Sequence, residues 1–436
     1  MGTVNRRTFL VRAGVGTAAA GVMAGGTAAE AQKKILLGAI GCGGRGTYLA
    51  QTFAGMPDVE VVFVCDADRS RAERAAGAVE RAGGKKPKVV TDLRRILDDP
   101  SVDAITIATP DHWHAPATIL ACEAGKHVYV EKPASHNIRE GRLMVEAARR
   151  HKRVVQVGTQ SRSLGHVRRA IELLRDGAIG EVLVAKAWNS QRRANIGHAT
   201  PSDPPPGLDY DMWLGPAPYV PFQKNRFHYT WHWWYAFGTG DMGNDGVHDL
   251  DIARWGLGVE THPSVVAALG GKYFFDDDQQ FPDTQYVIFE YPGNGRVGDR
   301  RQLIYEQRIW SPYRQEEYEN GNAFYGTKGY LLLSKSRGWK LFGERNKLKE
   351  QMTGSLRGTD HQRDFIDAIR SGSRPNADIA IGHLSSCLSH LGNIATRLAR
   401  TLRFDPKAER FLDDDEANRL VRREYREGHW AVPKGV

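Results

Sequence analysis

The chain has 436 residues, of which 41% are hydrophobic and 25% charged, and its formal net charge is +9. That length allows two domains of ordinary size, each with its own core, and excludes a small disulfide scaffold. Lysines and arginines are spread along the chain without a basic run, so no nucleic-acid partner is expected.

Residues 1–31 are predicted to be a twin-arginine export signal. Asn5-Arg6-Arg7-Thr8-Phe9-Leu10 carries the paired arginines and an apolar pair. Val11 to Thr27 is a weakly hydrophobic, Ala/Gly-rich stretch, and Ala29-Glu30-Ala31 offers a cleavage site. The twin-arginine export machinery is therefore an expected partner, with a periplasmic or otherwise exported destination. Arg12 and the glycines leave the apolar run too short for a span, and no cysteine stands at the cleavage point. No membrane anchor is expected after cleavage.

Residues 33–157 have the layout of a nucleotide-binding domain. Ile35 to Ile40 is a short apolar strand that runs into Gly41-Cys42-Gly43-Gly44-Arg45-Gly46, a G-x-G-x-x-G. A helix over Thr47–Ala54 and a strand over Val59–Cys65 follow, and Asp66 ends that strand. An acid about 20 residues beyond the glycines is the dinucleotide-binding spacing. Gly41 allows the tight turn, Gly43 lets backbone approach a pyrophosphate, and Gly46 lets helix and strand pack closely. Gly44 and Arg45 complete the loop, and the helix N-terminus favours phosphates. Asp66 can take both ribose hydroxyls, which favours NAD over NADP because a 2′-phosphate would meet a like charge.

Further strands are predicted at Val102–Ala108, Val128–Val130 and Val154–Val157, with helices at Ala115–Ala124 and Ile138–His151. Together they make a doubly wound parallel sheet, in which ligands bind off the carboxyl ends of the strands. The glycine loop, Asp66, Thr109-Pro110-Asp111-His112-Trp113-His114 and Glu131-Lys132-Pro133 all fall at that edge. Thr109, Pro110, His112, Trp113 and His114 are expected to line the cofactor site, and Glu131 and Pro133 to shape it. Gln160 and Arg162, just past the crossover, are candidates for cofactor or substrate contact.

Residues 158–404 are read as a substrate-binding and oligomerisation domain of α+β type with an open, mostly antiparallel sheet. Its strands are predicted at Glu181–Trp188, Ser264–Leu269, Thr284–Tyr291, Gln302–Trp310, Ala323–Gly326 and Gly329–Leu333. Helices are expected at His361–Arg370 and Ala380–Arg400. Residues 405–436 form a charged tail expected to wrap the surface. An uncovered apolar sheet face is rarely left in water, so a homodimer or homotetramer is expected. Cys42, Cys65, Cys122 and Cys387 are read as buried thiols. No C-x-x-C or H-E-x-x-H occurs, and no metal site is expected.

Chemistry is concentrated at Lys132 and in the segment Trp231 to Asp251. Lys132 follows a strand and precedes a proline that fixes its backbone, so an ammonium is placed at the ligand edge. Asn244, Asp245, His248 and Asp251 recur at spacings of three and four, which suits one helix. His248 can take a hydroxyl proton near neutral pH. Asn244 can orient a hydroxyl, and Asp251 is read as structural. The aromatics Tyr229, Trp231, Trp233, Trp234, Tyr235 and Phe237 offer faces on which a sugar ring can stack.

The order of these motifs resembles the glucose–fructose oxidoreductase/inositol dehydrogenase (Gfo/Idh/MocA) family. The glycine loop comes first, then Thr-Pro-Asp-His-Trp-His from Thr109, Glu-Lys-Pro from Glu131, and Gly-Asp-Met-Gly-Asn-Asp-Gly-Val-His-Asp-Leu-Asp from Gly240. The likeness runs from about Lys34 to Arg400 and looks nearest to the exported members. It implies an NAD-dependent sugar oxidoreductase in which Lys132 acts near the nicotinamide. One departure stands out. The family's usual pattern has Asp four residues before the histidine, where this chain has Asn244, with Asp245 one place later. Outside the cytoplasm free NAD is scarce, so a tightly held, recycled cofactor is expected. The alternative is an NAD-assisted glycosidase that oxidises C3 transiently and eliminates the aglycone.

Overall fold

The computed structural model describes residues 33–436, so the predicted export signal lies outside the described residues. The first part builds β1 (Ile35–Ile40), α1 (Gly44–Ala54), β2 (Val59–Cys65), α2 (Arg69–Arg81), β3 (Lys88–Val90), α3 (Arg94–Leu97), β4 (Ala104–Ile107), α4 (Asp111–Glu123), β5 (His127–Val130), α5 (Ile138–Arg150) and β6 (Val155–Val157). These strands form one six-stranded parallel sheet in the order β3-β2-β1-β4-β5-β6. The order reverses between β1 and β4, and a crevice opens there at the carboxyl ends. The central strands are buried on both faces because helices cover both, and β4 reads Ala-Ile-Thr-Ile without alternation.

Helix α4 starts at Asp111, four residues before the predicted Ala115. Pro110 stands at its N-cap, where a missing N–H costs nothing. Pro116 lies inside the helix and cannot donate to the carbonyl of His112. Arg423, from the C-terminal segment, donates to that carbonyl instead at 2.8 Å. The short edge strand β3 has only three half-exposed residues, too few for a periodic pattern to reveal it in the sequence.

The second part contains α6 (Gly165–Arg175), β7 (Val182–Asn189), α7 (Tyr210–Leu214), α8 (Val247–Leu257), β8 (Val265–Gly271), β9 (Thr284–Tyr291), β10 (Arg301–Arg308), β11 (Asn320–Gly326), β12 (Gly329–Ser334), β13 (Gly338–Phe342), β14 (Leu348–Thr353), α9 (Asp360–Ser371), α10 (Ile379–Leu398), β15 (Leu402–Asp405), β16 (Arg410–Phe411) and α11 (Asp415–Leu420). Its ten strands run β14-β13-β12-β11-β7-β10-β9-β8-β15-β16. Every pairing is antiparallel except β7 with β10. Strand β9 alternates, with Val287 and Phe289 fully buried and Tyr286 and Ile288 on the open face. The covered face packs on α6, α8 and α10 through residues such as Leu174, Leu250, Leu388 and Leu391.

The C-terminal segment does more than wrap the surface. Leu402, Phe404, Phe411 and Val421 are buried in the same core, and Arg423 pairs with buried Glu140 of α5 at 2.6 Å. All four cysteines are buried and free. No helix among the described residues is long and apolar enough to cross a membrane.

Candidate active site

A cleft of about 580 Å³ lies at the switch point of the parallel sheet and is closed by residues of the second part. Its floor is the glycine loop. Gly41 has φ +83°, and a side chain there would meet the Ala108 backbone at 2.6 Å. A Cβ on Gly46 would run into the Gly41 carbonyl oxygen. Gly44, in contrast, faces open space. Helix α1 begins there with no side-chain cap on its first turn, so its N–H groups are free for an anion. Asp66 accepts from the amides of Cys42 at 2.6 Å and Asp68 at 2.9 Å, and burial raises its pKa. These features fit a dinucleotide, with pyrophosphate over Gly43 and Gly44 and ribose at Asp66.

The cleft is roofed by the segment from Gly207 to His232, whose first part covers the adenosine end. Asp209 donates its amide to Ala67 at 2.8 Å, and Arg69 donates its amide to Gly207 at 3.3 Å. His228 lies 3.4 Å from Asp68. Met212 and Trp213 complete this wall, and Tyr229, Trp231 and His232 carry the segment on toward the reactive end, where the Lys132 charge acts on the His232 ring. Trp113 donates its indole N–H to the Trp213 carbonyl at 3.1 Å, which ties α4 to the roof.

The opposite end carries the reactive groups. Lys132 donates from Nζ to the Asn244 carbonyl oxygen at 2.6 Å and to its side-chain Oδ1 at 3.1 Å. Asn244 in turn donates from Nδ2 to Asp241 at 3.1 Å. His248, four residues on, lines the same cleft. Burial, together with the charges of Lys335 and Lys132, holds its pKa well below the usual imidazole value. The ring is therefore neutral and has a lone pair for a proton. The residues from Met242 to Gly246 form a π turn that leads into α8. Such single turns change which residues share a face and recur at functional sites. Here the turn sends Asn244 into the cleft and Asp245 away from it.

Asp245 does not line the cleft. It accepts from Gln191 and, at 3.0 Å, from Asn320, and it lies 3.6 Å from Lys335 and 3.7 Å from Arg193. Burial alone would raise its pKa, but Lys335, His248 and Arg193 outweigh that and hold it low. Lys335, which ion-pairs with Asp249 at 2.6 Å, gave no signal in the sequence because no local pattern surrounds it.

Gly41, Gly43, Gly44, Arg45, Asp66, Thr109, Pro110, Trp113, His114, Glu131, Lys132, Gln160, Asn244 and His248 all line this one cleft. Gly46 and Pro133 do not line it: Gly46 packs against the Gly41 carbonyl, and the Pro133 carbonyl meets the His114 ring. His112 is the exception among the Thr109–His114 group. Its ring is fully buried against Trp213 and Phe237, with Nε2 3.0 Å from the Trp213 carbonyl, because the early start of α4 turns it inward. His114 is wedged between the Pro133 and Thr109 carbonyls, at 2.7 and 3.0 Å. Glu131 is paired with Arg45 at 2.7 Å and accepts from Gln160 at 3.3 Å. Arg162 does not reach the cleft, since Asp251 holds it in a buried, two-pronged ion pair at 2.8 Å.

Of the aromatics, Tyr229 and Trp231 face the cleft. Trp233 packs with Phe275 and Phe281, and Trp234 and Phe237 join Trp213 in a separate core cluster. Asp111 and His232 are among the cleft groups whose roles were not foreseen. Asp111 accepts from Thr239 Oγ1 at 2.7 Å, and complete burial raises its pKa to about 7. His232 stacks on Trp231 at 3.6 Å and is also kept neutral by burial. Among the described residues His262, His383 and Cys387 come together, but both imidazoles already lie within 2.8 Å of Glu409, which Arg142 also holds.

Comparison with known proteins agrees with this geometry. Residues 35–159 match the family model described as oxidoreductase family, NAD-binding Rossmann fold. Residues 186–286 and 328–432 match that family's C-terminal alpha/beta domain. A glycosyl hydrolase family 109 protein of Saccharopolyspora erythraea is 32% identical over 203 residues, 41% of this chain and 44% of that protein. A levoglucosan dehydrogenase of Pseudarthrobacter phenanthrenivorans is 31% identical over 186 residues, 43% of this chain and 40% of that protein. The chain thus matches less than half the length of these two relatives. A solved levoglucosan dehydrogenase in complex with NADH and levoglucosan shares the fold, with TM-score 0.65 at 20% identity, covering 85% of this chain and 99% of that one. With both of its domain models matched across most of the described chain, this protein belongs to the Gfo/Idh/MocA family of NAD-binding oxidoreductases.

Proposed function

We propose that this protein is an exported, NAD-dependent oxidoreductase that acts on a ring carbinol of a sugar or sugar derivative. The observation that carries the reading is the meeting of Lys132, Asn244 and His248 in the cleft that the glycine loop floors. NAD, held over the glycine loop and Asp66, would supply the acceptor for the carbinol hydride. The chain's own groups handle the hydroxyl. Lys132 Nζ donates a hydrogen bond to the substrate oxygen and stabilises the charge that develops there. His248, kept neutral, takes the hydroxyl proton as the carbonyl forms. Asn244 holds the ammonium in place and cannot itself accept a proton. Trp231 and Tyr229 present faces to the apolar side of a pyranose.

The roof from Gly207 to His232 supports a tightly held cofactor, and the reading of residues 1–31 supports export through the twin-arginine route to the periplasm. The partly apolar open face of the large sheet supports a homodimer or homotetramer.

A second reading, NAD-assisted glycoside cleavage, is favoured by one observation, the likeness to a protein titled glycosyl hydrolase family 109. One experiment separates the two. Nucleotide is released by acid from protein purified without added cofactor and identified, and a sugar and glycoside panel is followed at the reduced-nicotinamide absorbance. Lasting reduction by a sugar is the result expected. Aglycone release without lasting reduction would establish the glycosidase, and absence of any bound or bindable NAD would overturn both readings.

A further inference from the structure

A second cavity, of about 740 Å³, lies behind the segment Tyr235–Thr239, on the side away from the catalytic cleft. Arg397, Arg419, Arg422 and Arg423 all line it, and Glu424 is the one carboxylate on its wall among the described residues. Arg423 is spoken for. Nine-tenths buried, it is paired with Glu140 and the His112 carbonyl, yet its Nη1 has no partner. Arg397 rests on the Tyr235 ring at 4.4 Å.

Several other arginines of this fold hold carboxylates. Arg45, Arg142, Arg162, Arg193, Arg363 and Arg400 each hold an acid within 3.1 Å. Arg397, Arg419 and Arg422 converge on one concave wall without an ion pair. All three are exposed at the mouth of the groove, where solvent screens them from one another, and their shared positive charge attracts an anion. Guanidinium forks bind phosphate, sulfate or carboxylate through paired charge-assisted hydrogen bonds. Tyr235 and Phe281, packed edge to face at 4.6 Å, add an apolar wall that a bare ion would not use.

We propose that this cavity is a second ligand site, for a small organic anion whose phosphate, sulfate or carboxylate is held by Arg419 and Arg422 and whose body lies against Tyr235 and Phe281. The site shares a wall with the catalytic cleft. Asn393 lines the cavity and donates to the Thr239 carbonyl at 2.7 Å, and the Thr239 hydroxyl donates to Asp111 in the cleft.

Calorimetric titration of the full-length, NAD-loaded protein with inorganic phosphate and with glucose 6-phosphate tests this. NAD occupies the glycine loop, so phosphate binding there does not confuse the result. Saturable binding of at least one probe is expected. In Arg419→Ala/Arg422→Ala that affinity should fall roughly tenfold or more, the loss of two charge-assisted contacts. It should stay unchanged in Arg150→Ala/Arg357→Ala, which removes the same charge from two other exposed positions away from the cavity. Tighter binding of the sugar phosphate supports a role for the aromatic wall, and equal binding supports recognition of the anion alone. No saturable binding of either probe, or equal losses in the two double variants, would overturn the proposal.

Discussion

Replacing Arg162 by methionine tests how far a buried ion pair beside the catalytic end of the cleft stabilises the fold. Arg162 lies in the short turn Gln160–Ser163, and its partner Asp251 lies on α8, three residues beyond His248. Nε reaches both carboxylate oxygens, at 3.0 and 2.8 Å, and Nη2 reaches Oδ1 at 2.8 Å. The side chains are 6% and 0% exposed. Methionine keeps much of the volume but leaves Asp251 with the Ser385 hydroxyl at 2.6 Å and Arg254 at 4.0 Å. An orphaned buried charge costs about 3–5 kcal/mol, and Arg254 should bring the loss toward the lower end. Loss of the Arg162 contact over Trp255, at 4.8 Å, adds about 0.5–2 kcal/mol. Urea unfolding followed by tryptophan fluorescence measures the loss. The double variant Arg162→Met/Asp251→Leu should recover part of it, because it removes the orphaned carboxylate, while buried Arg254 keeps only the Ser385 hydroxyl and the Val259 and Ile381 carbonyls. A single-variant loss under about 1 kcal/mol, or a double variant no more stable than the single, would refute the reasoning.

Lys132→Met should lower sugar-dependent reduction of NAD by roughly 10²–10⁴-fold while leaving NAD affinity within a factor of about three; stopped-flow absorbance and fluorescence titration separate the two. Asp66→Ala should shift preference toward NADP by at least about tenfold, since it removes a carboxylate beside Arg71 that would repel a 2′-phosphate; paired NAD and NADP titrations decide. Asp111 has its folded pKa raised from 3.8 to about 7 by burial. The folded state therefore keeps a proton that the unfolded chain releases, and stability should fall as pH rises from about 4 to 7 and then level off. The effect is on the order of 4 kcal/mol. Asp111→Asn should flatten that slope, and urea midpoints at pH 5 and 8 should show it; an unchanged slope would place the proton elsewhere. Light scattering should give a dimer or tetramer, and Ile288→Lys, on the open sheet face, should shift it toward monomer; a wild-type monomer would sink that expectation.

Much of the cofactor half was legible from local pattern alone. Glycines at Gly41 and Gly46 are demanded by backbone approach, and the strands β1, β2, β4 and β5 are short apolar runs with turn residues at both ends. These are contacts between near neighbours in the chain, so spacing reveals them. The alternating strands of the second part were visible for the same reason, as Thr284–Tyr291 shows. What spacing could not reveal was orientation. Helical periodicity put Asn244, Asp245 and His248 together, but a π turn, which no residue pattern marks, keeps Asp245 off the cleft wall while leaving its charge close to His248. His112 sits in the same motif as Trp113 and His114, yet the position of the α4 start decides that its ring faces the core. Lys335, Asp111 with Thr239, and Arg162 with Asp251 are pairings across 86, 128 and 89 residues. The sequence by itself therefore determined the nucleotide-binding framework, because that rests on local steric rules. Only the tertiary structure decided which polar groups face the cleft and which neutralise one another, because burying a charge forces it to find a partner wherever the fold brings one.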